Sequence, residues 1–234
     1  MLRDARLIAA KDLRIEMVSK VLTTQVLPFG LLVLILFGFA IDPDLQAVGR
    51  GVEGSSRAVL ETVAPGLFWM AVLFSALLAI GRSFAVESVD GNLDALRLAG
   101  LEPGGIFLGK AAAVLVQLIV LEIILGLGAL AIYGAPVGHP LLLGVTVVVG
   151  TVAIAAAGTL YAALAAGLRV RDTLVPLLLL PVLAPVLLGA TIASGAALFG
   201  PASDGWPWCA ALGAFAVLYV AAGILAFGSL LEDS

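Results

Sequence analysis

The stretch KAAAVLVQLIVLEIILGLGALAIYGAPVGHPLLLGVTVVVGTVAIAAAGTLYAALAAGLR, Lys110–Arg169, holds a single residue between its two ends that is charged at neutral pH, Glu122. A bilayer core about 30 Å thick is crossed by ~20 apolar residues in a helix, so this stretch is long enough for two crossings. Between them stands YGAPVGHP, Tyr133–Pro140, where glycine and proline punctuate the pattern as a turn. The stretch therefore reads as a membrane hairpin. On either side of it, the same blank in charge recurs between Lys20 and Asp42, Glu61 and Arg82, Asp172 and Asp204, and Asp204 and Glu232. The chain reads as an all-α integral membrane protein and a single transmembrane unit over residues 1–234. Its six spans lie at about 21–41, 62–81, 106–133, 141–168, 174–199 and 207–231.

Composition supports the same class. Hydrophobic residues make up 62% of the 234, and charged residues only 12%, roughly half of what a soluble domain carries. A water-soluble core protein is excluded on that ground, and no basic patch suited to nucleic acid is present. Cys209 is the only cysteine, so no intrachain disulfide can form. Arg3, Arg6 and Lys11 ahead of an apolar run resemble a signal peptide. Against that, Asp4, Asp12 and Glu16 interrupt the leading segment, and Val21–Ile41 is longer than a signal core, so it is expected to stay as the first span.

Membrane orientation follows the lysines and arginines. Of the 12 in the chain, Arg50 and Arg57 lie on one side of the predicted spans and all the others on the opposite side. Both termini are therefore expected in the cytoplasm. Trp69, Tyr133, Trp206 and Trp208 fall near the predicted outer ends of their spans, where an amphipathic ring sits well at headgroup level. The fifth span carries Pro176, Pro181 and Pro185, which predicts a broken helix and a short re-entrant turn before Pro201. The fourth is rich in alanine and glycine from Ala153 to Gly167, suited either to a subunit interface or to internal packing.

Two segments outside the spans are amphipathic. Residues 1–20 alternate charge with Leu2, Leu7, Ile8, Leu13, Ile15 and Val18, and read as a helix lying in the cytoplasmic interface. RSFAVESVDGNLDALRLAGLEPGG, Arg82–Gly105, breaks at Asp90-Gly91 and can be capped at Asn92. Leu93, Leu96 and Leu98 are its apolar residues, Gly100 can end it, and Pro103 can open the next helix. This predicts a helix of one to two turns below the membrane, shaped to sit in a cleft of another protein.

Little in the chain is chemically reactive. Gly104–Lys110 satisfies the spacing G-x-x-x-x-G-K, but Ala111 stands where a magnesium-binding hydroxyl belongs, no strand precedes it, and the segment enters the membrane. ATP, if used, must be bound by another chain. Glu122, with Gln117 before it, is an intramembrane carboxyl, a costly placement that points to function or to a structural hydrogen bond. His139, the only histidine, could ligate haem iron but lacks a second ligand or an aromatic cage. No catalytic constellation and no metal-ligand cluster emerges.

Four stretches together resemble the CcmB family, the membrane component of the haem exporter for cytochrome c maturation and an ABC-type permease. They are RLIAAKDLRIE (Arg6–Glu16), APGLFWMAVLFSALLAIGRSF (Ala64–Phe84), ESVDGNLDALRLAGLEPGGIFLGK (Glu87–Lys110) and LLLLPVLAPVLLGA (Leu177–Ala190). Phe84, Glu87, Gly91, Leu93, Leu96, Gly109 and Lys110 carry the likeness around the second cytoplasmic loop, and Pro181 and Pro185 carry it in the fifth span. The resemblance implies an inner-membrane permease that is not itself an enzyme, driven by a separate ATPase. It implies further partners: a second permease copy or a haem-handling membrane protein, a haem chaperone system, and membrane lipid. It also implies that Glu87, Asp90, Gly91, Leu93, Asp94, Leu96 and Arg97 form the coupling helix that docks into the ATPase. Haem would be cargo rather than a bound cofactor. The residues leave open a permease for another lipid or drug-like cargo, and a non-transporting scaffold for maturation proteins.

Overall fold

The computed structural model describes residues 1–41, 55–89, 100–133, 136–165 and 171–232, and among them there is no strand. Seven α-helices follow in chain order within those residues: α1 Leu2–Ser19, α2 Leu27–Ile41, α3 Ser55–Val89, α4 Pro103–Tyr133, α5 Pro140–Ala165, α6 Arg171–Phe199 and α7 Ala202–Glu232. Among the described residues six segments are long and apolar enough to cross a membrane: Leu22–Ala40, Thr62–Gly81, Pro103–Ala131, Pro140–Ala165, Val175–Phe199 and Ala202–Gly228. Helix α4, with 31 residues, is about 46 Å long, more than the hydrocarbon core needs.

The helix boundaries follow local chemistry. Pro103 and Pro140 each open a helix, where the missing N–H would have no intrahelical partner anyway. Helix α1 ends on Lys20 in the left-handed conformation, φ 53°, with its N–H donating to the Glu16 carbonyl at 2.7 Å. The Glu16 carboxylate accepts the Leu22 N–H, and Leu22–Val26 forms one π-helical turn before α2 begins. The chain thereby passes from the leader into the first span within two residues. Gly100, φ 67°, is also left-handed, just before α4.

Helix α5 is the central element, packed on α3, α4, α6 and α7. Ala153, Ala155, Ala156, Ala157, Gly158, Ala162 and Ala165 are all buried. A Cβ on Gly158 would sit 2.1 Å from Ile80 Cδ1, and one on Gly150 would sit 2.9 Å from Trp69 Cη2. Of the two uses open to the small residues, these serve internal packing: they let larger side chains of neighbouring spans reach the α5 backbone.

Two expectations are corrected. The fifth helix is unbroken: α6 runs from Arg171 to Phe199 with Pro176, Pro181 and Pro185 inside it, and only Gly200-Pro201 separates it from α7. No re-entrant turn forms there. Each proline removes one N–H, its fixed φ suits a helix, and Pro181 and Pro185 face outward, so the remaining ladder holds. Trp69 is not an interfacial anchor but is 1% exposed, inside the main core. The leader forms a helix as expected, and α1 packs along α4 and buries Ile8.

Candidate functional site

The α1–α4 contact gives the G-x-x-x-x-G-K spacing its structural meaning. A Cβ on Gly105 would lie 2.9 Å from the Met1 carbonyl oxygen, and one on Gly109 would lie 2.6 Å from both the Ala5 carbonyl oxygen and Ile8 Cβ. The two glycines stand four residues apart on one face of α4, and the leader backbone lies directly on them. Next to them, the Lys110 side chain is fully buried, with Nζ 3.4 Å from Asp12 Oδ2. Asp12 also pairs with Lys11 at 3.1 Å, and the Glu102 N–H donates to Asp4 at 3.4 Å. A buried ammonium needs charged or hydrogen-bonding company, and the leader provides part of it. Glycines and lysine that mimic a phosphate loop thus serve as a saddle for the leader.

Deep in the bundle, Glu122 on α4 is 2% exposed. Both its carboxyl oxygens lie 2.7 Å from Thr151 Oγ1 on α5, and that hydroxyl is 2.6 Å from the Val147 carbonyl oxygen one turn back. A hydroxyl has one hydrogen to give. The Thr151 hydroxyl is therefore shared: it can donate to either Glu122 oxygen or to the Val147 carbonyl, and the contact ties α4 to α5. Gln117 does not join this group: five residues apart on a helix, it is displaced by about 140° from Glu122 and is half-buried elsewhere.

Around Glu122 opens a cavity of about 360 Å³, walled by α3, α4, α5 and α6. Its lining is apolar apart from Glu122 and Ser194. Ser194 Oγ accepts the Trp69 Nε1–H at 2.9 Å, which joins α3 to α6 across the core. Thr151, Ser194 and Asp12 were not legible as functional residues; a hydroxyl or a carboxylate in a sequence gives no sign of which distant residue it faces.

His139 contributes through its backbone. Its N–H donates to the Ala197 carbonyl at 2.8 Å and its own carbonyl accepts the Leu143 N–H at 3.1 Å, which pins the α4–α5 connection to the end of α6. Among the described residues no group of histidine, cysteine and carboxylates could hold a metal ion. Cys209 is buried against Thr146 at 3.0 Å. Of the expected docking helix, Glu87 lies in the last turn of α3 rather than in a separate helix. Asp90, Gly91, Leu93, Asp94, Leu96 and Arg97 lie outside the described residues.

Six apolar crossings, a leader helix saddled on one of them and a buried carboxyl in the bundle define a multi-pass α-helical membrane protein. The CcmB protein family matches residues 4–234, nearly the whole length, and the chain belongs to that family. It is similar to Heme exporter protein B of Bradyrhizobium diazoefficiens, 31% identical over 188 residues that cover 77% of this chain and 76% of that one. The protein of the same name from Haemophilus influenzae is 31% identical over 79% of this chain and 78% of its own. That of Pseudomonas aeruginosa is 32% identical over 82% and 81%.

Proposed function

We propose that this chain is the membrane permease of an ATP-driven haem exporter serving cytochrome c maturation, in the inner membrane with both termini in the cytoplasm. Family membership over residues 4–234, with relatives named Heme exporter protein B, is the observation that carries the reading. Two features support it. The phosphate-loop-like spacing at Gly104–Lys110 is covered by the leader, which supports nucleotide being bound by another chain. The lysine and arginine bias puts the leader, the α3–α4 connection and the α5–α6 connection on the cytoplasmic side.

In this reading ATP hydrolysis moves the bundle through the α3–α4 connection. Leu93 and Leu96 enter the ATPase cleft, and Glu87, Asp90, Asp94 and Arg97 supply its polar rim. The movement leads to haem export or to release of the haem-loaded chaperone, with a second permease copy or a haem-handling membrane protein completing the assembly. The reading is tested by replacing Leu93 and Leu96 with aspartate. Loss of ATPase co-purification and of cytochrome c assembly, with normal membrane insertion, is expected. Undiminished co-purification sinks the docking role.

A further inference from the structure

The cavity beside Glu122 has an occupant that its chemistry selects. Its back wall comes from Pro65 and Phe68 on α3 and Ser194 on α6. It opens between α4 and α5, where Ile123, Leu127 and Gly144 are exposed. It runs from Pro140, at the first turn of α5, to Val147 and Glu122, a depth of roughly 10 Å along the helices. Helices α4 and α5 are both long and apolar enough to cross a membrane, so the opening lies between two spans.

What can fill it follows from the lining. Among the described residues no lysine or arginine lines the cavity, so a phosphate headgroup or a haem with its two carboxylates finds no counter-charge there. Nor does any described histidine, cysteine, methionine or tyrosine line it to ligate iron. Water finds few polar partners, because Glu122 and Ser194 are the only polar side chains among the described lining residues and each is already engaged, with Thr151 and Trp69. An empty slot would forfeit the dispersion contacts of its walls. The volume, about 360 Å³, lies in the range of small-molecule sites.

We infer that this cavity is a lateral lipid site that takes one hydrocarbon chain of a bilayer lipid between α4 and α5, and that it is not the path of haem. The inference rests on the six-span fold alone, so it can fail while the exporter reading stands, and the reverse. A chain lodged there lies against α4 and α5, the spans that carry Glu122 and Thr151.

The test uses Trp69, whose T-shaped neighbour Phe68 lines the cavity at a ring separation of 5.7 Å. With Trp206 and Trp208 replaced by phenylalanine, Trp69 is the only tryptophan left. The full-length protein is placed in nanodiscs of phosphatidylcholine with or without bromine on the acyl chains. Quenching of Trp69 by the brominated lipid is expected. It should be lost in Gly126→Leu and in Gly144→Leu, where a Cβ meets only Phe68 Cε2 at 3.9 Å and nothing within 4 Å, respectively. Two variants that fill the slot from opposite walls keep the test usable if one fails to fold, as monitored by monodispersity. Absence of quenching in the parent overturns the proposal, as does equal quenching in parent and folded filled variants. Quenching confined to monomers and abolished in dimers also overturns it, by assigning the mouth to a second copy of the chain.

Discussion

Replacing Gly109 with alanine adds one methyl group at the saddle between α1 and α4. The new Cβ would stand 2.6 Å from the Ala5 carbonyl oxygen and from Ile8 Cβ. Neither atom sits at the end of a flexible side chain, so relief requires the leader itself to move. Ordinary contact begins near 3.4 Å, which asks for a displacement of about 0.8 Å. Directed along the Lys110–Asp12 vector, the same displacement stretches that 3.4 Å pair to about 4.2 Å, beyond ion-pair range. Overpacking of this kind costs about 1–3 kcal/mol, which changes the ratio of docked to undocked leader roughly 5–160-fold. Trypsin reads that ratio, because Arg6 and Arg14 are exposed but held in helix α1. Cleavage within residues 6–14 should therefore accelerate by that factor in nanodiscs. Gly81→Ala is the control: its Cβ meets nothing within 4 Å, so cleavage should not change. If Gly109→Ala and Gly81→Ala are cleaved at the same rate as the parent, the leader is not seated on Gly109 and the saddle account is wrong.

Three further outcomes follow from the core. Glu122→Gln keeps the shape and an acceptor oxygen for Thr151 and should shift stability by less than about 1 kcal/mol, whereas Glu122→Lys buries an amine that cannot accept that bond and should abolish accumulation in the membrane; equal accumulation of both variants removes the Glu122–Thr151 pair from the account. Trp69→Phe and Ser194→Ala should each cost about 1 kcal/mol in thermal melts, and the double variant distinctly less than the two effects added; strict additivity would mean the buried N–H···O bond contributes nothing. Pro181→Ala should leave helicity unchanged and raise stability by up to about 3 kcal/mol, since α6 is continuous and this outward-facing proline withholds an N–H from it; a fall in stability would mean that the ring itself is needed.

The blanks in charge were enough to predict six membrane-crossing helices, because a helix that meets lipid on one side and other spans on the other has no place for uncompensated charge at any azimuth. Turn residues were equally readable: Pro103 and Pro140 mark the starts of α4 and α5 because proline's constraint is local. Local rules went wrong where neighbours decide. The prolines of α6 suggested a break, but a helix survives the loss of single hydrogen bonds when both flanks are long and packed. Trp69 looked like an interfacial anchor because ring chemistry permits that role, and the fold instead gave it Ser194 as a partner 125 residues away. The spacing of Gly105, Gly109 and Lys110 was visible but mute, since the object it accommodates, the leader, is remote in sequence.

That this chain crosses a bilayer six times can be read from residue order, since the transfer of charge into hydrocarbon is costly wherever the residue sits. The meeting of Glu122 with Thr151, the meeting of Lys110 with Asp12, and the slot left between α4 and α5 emerge from the packed bundle and from nothing short of it. Those outcomes depend on which helices are neighbours and how closely they approach, and that is settled by small residues packing across the bundle, not by the hydropathy of any one segment.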